Sequence, residues 1–132
     1  MSNVERNKKA VQEIFQAKRP FNASKLAPYL SPEVKQIRED TEVIGKEQWL
    51  ARLTWVFDQL LSDATFEPLG SVAEGNKVWT FAIIRNEPTS IVPDPSTHER
   101  ETVDMFTFND EGLLIEHRDV QQNALIKRHV TK

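Results

Sequence analysis

The stretch from Glu101 to Gln122, ETVDMFTFNDEGLLIEHRDVQQ, decides how this chain is read. It has the pattern of two long strands joined by a turn over Asn109-Asp110-Glu111-Gly112. A four-residue turn pairs Phe108 with Leu113, Phe106 with Ile115 and Asp104 with His117. Strand side chains alternate, so Asp104, Phe106, Phe108, Leu113, Ile115, His117, Asp119 and Gln121 fall on one face. That face is apolar near the turn and polar further along. A greasy surface ending in two carboxylates, an imidazole and an amide suits the wall of a small-molecule pocket better than a plain core. The opposite face carries Val103, Met105, Thr107, Leu114, Glu116, Arg118 and Val120, a mixed set suited to water or a partner subunit. A slip of one residue would send one strand's set to the other face, so the reading depends on the turn.

Working outward, the upstream chain carries helical and then strand periodicity. Val4, Val11, Ile14, Phe15 and Lys18 recur at helical spacing behind a cap at Ser2 or Asn3, and Arg19-Pro20 ends that helix. A short second helix is predicted over Ala23–Leu30, weakened by Pro28. Val34–Glu39 alternates as a strand. Gly45 then opens a helix over Lys46–Leu61, with Trp49, Leu50, Leu53, Val56, Phe57, Leu60 and Leu61 as its apolar stripe. From Ala64 the period becomes two. Thr65–Glu74 and Lys77–Asn86 read as strands around Gly75-Asn76, with a break or bulge near Pro68 and Gly70. Trp79, Phe81, Ile83 and Arg85 share a face of the second. Glu87–His98, rich in proline, reads as a long loop. Helices first and strands afterwards predict an α+β fold in which a curved antiparallel sheet wraps around N-terminal helices, leaving a cone with an interior.

Composition narrows the function classes. The 132 residues suit one domain spanning 1–132. Hydrophobic residues make up 39% and charged residues 28%, the balance of an ordinary soluble globular chain. A net charge of −3 with scattered Lys and Arg provides no footprint for nucleic acid or an anionic membrane. The small basic cluster Lys127-Arg128-His129 with Lys132 reads as a solvated tail. With no cysteine there is no disulfide, thiolate metal site or cysteine nucleophile, which fits a cytoplasmic protein. The first residues, MSNVERNKKAV, are too polar for a signal peptide, and no apolar run reaches membrane-spanning length. No phosphate-binding glycine loop, Ser-His-Asp order or zinc signature occurs.

The order of elements, Gly45-Lys46-Glu47 opening a Trp-bearing helix, and the stretches VAEGNKVW, VDMFTF and GLLIEHRDVQQ resemble nuclear transport factor 2-like proteins. Within that superfamily the chain is most similar to the SnoaL-like group, named for polyketide cyclases. There the C-terminal hairpin typically reads VD-hydrophobic-F, then G-K-I-V-E-H-W-D-V-I-Q. Val103-Asp104-Met105-Phe106 and Gly112, Ile115, Glu116, His117, Asp119, Val120 and Gln122 match that pattern in place. The resemblance implies the cone-shaped α+β fold and a homodimer, with the Arg118 face as the contact.

For chemistry the resemblance implies alternatives, because one scaffold hosts isomerases, cyclases, dehydratases, epoxide hydrolases and binders. Asp104 matches the protonated oxyanion-hole aspartate of ketosteroid-isomerase-like members. Asp119 matches the acid–base aspartate of limonene-epoxide-hydrolase-like members. The chain departs from the group at Gln36-Ile37-Arg38 and Trp79-Thr80-Phe81, where histidines are usual, and at Ile14 and Phe15, where the isomerases carry a tyrosine. The isomerase base would fall between Gln36 and Asp40.

The expectation is therefore a binder of a small apolar carbonyl compound that does cofactor-free proton chemistry, leading to aldol cyclisation or isomerisation. Asp119, aided by His117, would remove a proton beside the carbonyl. Asp104, kept neutral by burial and a neighbouring carboxylate, would stabilise the enolate. Trp49, Trp79, Phe81, Phe106 and Gln121 are the candidate substrate-binding residues, with a core role open for the aromatic ones. His117 reads alternatively as a structural histidine orienting Asp104. Asp104, His117 and Asp119 form a conceivable ligand set for a divalent ion, but no metal motif accompanies them, so no metal is expected. A non-catalytic ligand-binding or dimerisation module of the same fold is the competing reading.

Overall fold

In the computed structural model, Asn7, Ala10, Val11 and Ile14 recur at intervals of three and four residues and are all buried. They form the inward stripe of helix α1 (Asn3–Gln16). The structure describes residues 3–16, 23–38, 41–55, 58, 65–85 and 99–121. Helix α2 (Ala23–Leu26) gives way to a 3-10 turn over Ala27–Tyr29. The predicted helix through Leu30 stops early because Pro28 has no N–H to donate to an α-helical carbonyl.

Strand β1 (Leu30–Arg38) begins four residues earlier than its alternation suggested, and β2 (Thr41–Ile44), which had no sequence signal, follows it. Gly45, at φ 106°, ends β2 and donates to the Val34 carbonyl at 2.8 Å, while its own carbonyl accepts from Trp49 at 2.9 Å. It thus launches α3 (Lys46–Trp55), which buries Trp49 and Leu53 one turn apart. Val56, Phe57, Leu60 and Leu61 lie outside the described residues, as do Arg19-Pro20, the loop over 87–98 and the basic C-terminus.

Strands β3 (Thr65–Glu74), β4 (Lys77–Arg85), β5 (Glu99–Phe108) and β6 (Leu114–Gln121) complete a six-stranded sheet of order β2-β1-β6-β5-β4-β3. The sheet is curved and unclosed. Its expected antiparallel character holds at every pairing except one: β1 lies parallel to β6. Irregularities at Pro68/Gly70, at Leu30/Lys35 and at Thr107/Phe108 bend it. Helix α1 packs on β3 and β4, and α3 on β1 and β2. Between helices and sheet, Trp49, Phe106, Phe108, Leu26, Leu30, Val34, Val78 and Leu114 make the centre of the core. No described helix is long and apolar enough to cross a membrane.

The hairpin corrects the sequence reading. Its loop spans 109–113, one residue longer than expected, because the Asn109 side chain accepts from the backbone N–H of Glu111 at 2.9 Å and Leu113 at 3.0 Å. Phe108 therefore faces Leu114, not Leu113. That shift alone would have turned His117 outward. Ile115, however, is passed over in the ladder, since Thr107 already faces Glu116. The bulge restores parity, so His117 faces Phe106 and Asp119 faces Asp104, with all four buried. Leu114 fills the inner position expected for Leu113 and Ile115.

Strand β4 requires a second correction. Its buried residues are Val78, Thr80, Ala82 and Ile84. Trp79 and Phe81 are 43% and 42% exposed and point to the outer face. They do not line the concave side, because β4 alternates in step with β5, where Asp104 and Phe106 point inward and lie opposite Thr80 and Val78.

Candidate functional site

Two cross-strand rows build a polar patch on the concave face. One runs Val78, Phe106, His117, Gln36 across β4, β5, β6 and β1. The next runs Thr80, Asp104, Asp119. Cross-strand neighbours stand about 4.5–5.5 Å apart at Cβ, and diagonal ones remain within reach of long side chains. His117 reaches diagonally to Asp104: Nε2 lies 2.7 Å from Oδ1. The other Asp104 oxygen accepts a longer bond from Thr102 Oγ1 at 3.4 Å.

The imidazole is packed by two aromatic rings. Phe106 stacks on it at 4.5 Å between centroids with planes 12° apart, and the Trp49 ring, descending from α3, meets it edge-on at 5.9 Å. In the tautomer whose Nε2 donates to Asp104, Nδ1 carries a bare lone pair, and that atom is buried with no partner among the described residues.

Asp119 has a different environment. Arg38 brings Nε and Nη2 to its Oδ2, both at 2.8 Å, and Gln36 Nε2 approaches Oδ1 at 3.4 Å. Arg38 and Gln36 sit two apart on β1 and so share its inner face. The parallel pairing of β1 with β6 places Gln36 beside His117 and Ile37 beside Arg118, which brings Arg38 level with Asp119.

The expected trio Asp104, His117 and Asp119 thus converges, with Phe106 and Trp49 around it. Gln121 closes β6 opposite Thr102, and its side chain lies outside the described residues. Arg38 and Thr102 had no assigned role in the sequence reading, and the region holding Gln36 was left open. More than 80 residues separate Gln36 from Asp119, and nothing local in either strand announces a parallel contact. Among the described residues no group of three His, Asp or Glu side chains is arranged to hold a metal ion.

Comparisons with known proteins agree on the fold. The SnoaL-like domain profile matches residues 11–117. Among solved structures, a candidate SnoaL-like polyketide cyclase from Jannaschia is 19% identical, with TM-score 0.76 over 98% of this chain and 94% of that one. A candidate ketosteroid isomerase from Kribbella flavida is 13% identical, with TM-score 0.73 over 94% of this chain and 83% of that one. TerC, co-crystallised with polyporic acid, is 13% identical, with TM-score 0.73 over 96% of this chain and 99% of that one. No curated protein matches significantly. Identities this low establish architecture and leave the chemistry to the residues. A profile match across most of the length, the curved sheet and its helices together make this chain a member of the SnoaL-like domain family.

Proposed function

We propose that this protein binds a small, largely apolar carbonyl compound against the concave face of its sheet and moves a proton on it without a cofactor. The observation that carries the reading is His117: a buried imidazole, packed by Phe106 and Trp49, anchored at Nε2 by Asp104 and unpartnered at Nδ1 among the described residues. A general base needs a free lone pair and a fixed orientation, and this residue has both. Asp119, the base expected from sequence, has its Oδ2 lone pairs occupied by Arg38. In this proposal His117 takes the proton-transfer role, Asp104 orients it, and Asp119 secures β6 to β1.

The reaction begins with transfer of a proton from the carbon beside the carbonyl to His117 Nδ1. The C–H electron pair becomes the new C=C bond, and the carbonyl π pair moves onto oxygen. In a substrate whose C=C conjugates with the enolate, the resulting dienolate regains the proton from His117 at its far carbon, an isomerisation; otherwise the enolate carbon attacks a second carbonyl of the same molecule and the alkoxide formed takes the proton from His117, an aldol cyclisation. The same-fold neighbours named for cyclisation and isomerisation, and one crystallised with polyporic acid, support this substrate class. A non-catalytic binding module is the competing reading, favoured by the Arg38–Asp119 pair, which makes one acid structural.

A thermal-shift panel of polyketide-like and steroid-like carbonyl compounds tests the reading. A ligand at a hundred times its Kd adds about 2.7 kcal/mol, a shift of several degrees. No response from any compound would remove the proposal. Response without turnover would leave the non-catalytic module.

The outer face of β3–β6 is the proposed homodimer contact. Val72, Trp79, Met105 and Arg118 form one cross-strand row there, and Phe81, Val103 and Val120 the next. Val72, Trp79, Phe81 and Val120 are each more than two-fifths exposed, an apolar cluster drawn from β3, β4 and β6 that a free surface seldom carries. Hollows of about 600 Å³ beside Val72 and Trp79 and about 460 Å³ beside Phe81 and Val103 break this region into relief suited to interlocking. Light scattering at micromolar concentration should return twice the 15.2 kDa chain mass, and Trp79→Glu should return a monomer. A monomeric wild-type protein removes this contact.

A further inference from the structure

His117 and two of its neighbours, Gln36 beside it in the sheet and Trp49 above it from α3, each leave one polar atom buried and unpartnered among the described residues: His117 Nδ1, Gln36 Oε1 and Trp49 Nε1. Gln36 is the cross-strand neighbour of His117, and Trp49 packs its edge on the same imidazole. Each orphan of this kind costs about 1–3 kcal/mol of lost hydration, and buried polar groups are otherwise nearly always paired. Arg6, Asn7 and Arg52 also carry unpartnered buried atoms, but only these three residues gather on one imidazole, which points to a shared occupant there.

Their chemistry specifies that occupant. An indole N–H only donates. The Gln36 amide has its Nε2 toward the Asp119 carboxylate, an acceptor, which leaves Oε1 as the free end and an acceptor too. His117 Nδ1, with Nε2 turned to Asp104, is a second acceptor. The set therefore offers one donor and two acceptors.

We propose that the Trp49 indole N–H receives the ligand's carbonyl oxygen and that Gln36 Oε1 accepts from a hydroxyl next to it, so the site selects hydroxy-carbonyl compounds over plain ketones. This rests on the proton-transfer reading of His117 and adds the positioning groups that reading lacks. When His117 withdraws a proton, charge gathers on the carbonyl oxygen, and a donor already aimed there favours the enolate over the ketone. A plain ketone would satisfy Trp49 and leave the Gln36 oxygen dry and unpaired, which is how a polar site rejects an analogue lacking a hydroxyl.

The test uses α-hydroxyacetophenone, with acetophenone as the analogue lacking the hydroxyl. The chain has three tryptophans, Trp49, Trp55 and Trp79, so a nitrogen-labelled sample shows three indole N–H signals, and the one missing in Trp49→Phe belongs to Trp49. Adding α-hydroxyacetophenone is expected to move that signal downfield while those of the half-exposed Trp55 and Trp79 stay in place. Trp49→Phe, which keeps an aromatic ring in the core but removes the N–H, should weaken binding about tenfold. Gln36→Met should bring the two probes to the same affinity. Thermal stabilisation by α-hydroxyacetophenone with the Trp49 signal unmoved overturns the inference and leaves the reading of His117 standing. Equal affinity of both probes for the wild-type protein overturns the Gln36 selection. If neither probe binds, the inference is overturned, and the His117 reading is judged by the wider carbonyl panel.

Discussion

Replacing His117 by glutamine is expected to slow deuterium exchange into the carbon beside the carbonyl of α-hydroxyacetophenone by about 10²- to 10⁴-fold, the usual contribution of a positioned general base. Glutamine retains an N–H that can face Asp104, so the carboxylate keeps a donor, and the variant loses the basic lone pair more than it loses the local hydrogen bond. Asp104→Asn should cost less. An amide oxygen still accepts from Nε2 across the 2.7 Å contact, but without the charge that steadies the imidazolium formed during transfer. Asp119→Asn should leave exchange within about tenfold of wild type, because its Oδ2 already serves Arg38 and is not offered to a ligand. The order of the three variants is the informative result. Loss of exchange in Asp119→Asn with retention in His117→Gln would return the base role to Asp119, and unchanged exchange in all three would place the chemistry elsewhere.

The largest effect on stability is expected from Arg38→Met. The Asp119 side chain is 2% exposed, and Arg38 brings two nitrogens to its Oδ2. Removing a guanidinium from a buried carboxylate strands a charge whose desolvation is no longer offset, and losses of about 3–5 kcal/mol follow from such cuts. Arg38 is itself 30% exposed, so water can enter where the guanidinium was, and the lower end, about 3 kcal/mol, is expected. The Gln36 amide, at 3.4 Å, is too distant to replace the lost bonds in full. The companion variant separates charge from packing. In an Asp119→Asn background there is no stranded charge, and Arg38→Met should cost about 1 kcal/mol or less. Urea unfolding of the four proteins in this cycle yields the coupling directly. Equal cost of Arg38→Met in both backgrounds would show that the pair does not hold β1 to β6.

The hairpin shows how much could be read in the chain and where reading ended. Alternation in Val103–Phe108 and the run His117-Arg118-Asp119 is a local property, so the pairs Asp104 with Phe106 and His117 with Asp119 followed from side-chain period, while their sharing one face rested on the register. The register itself did not follow from it. Two one-residue departures, a longer loop held by Asn109 and a bulge at Ile115, cancelled in parity. Neither departure has a sequence signature strong enough to call, and the face came out right because their sum is even.

Trp79 and Phe81 mark the opposite case. They alternate with the smaller Val78, Thr80 and Ala82, and their bulk suggested the interior, yet alternation says only that residues share a face and never which face the helices cover. That choice shows in α1 packing on β4 with Val78 in the shared core, which turns Thr80, Ala82 and Ile84 to the buried side with it. Amino-acid order alone thus established the α+β class, the family and which residues within each strand share a face, because period, turns and motifs are carried by neighbours along the chain. The register that put Asp104 beside Asp119, the capture of Asp119 by Arg38 and the outward turn of the aromatic pair arose only when β5 and β6 paired through their bulge, β1 settled parallel to β6 and the helices chose a side. Those contacts join residues scores of positions apart, and their energy exists only once the chain has folded.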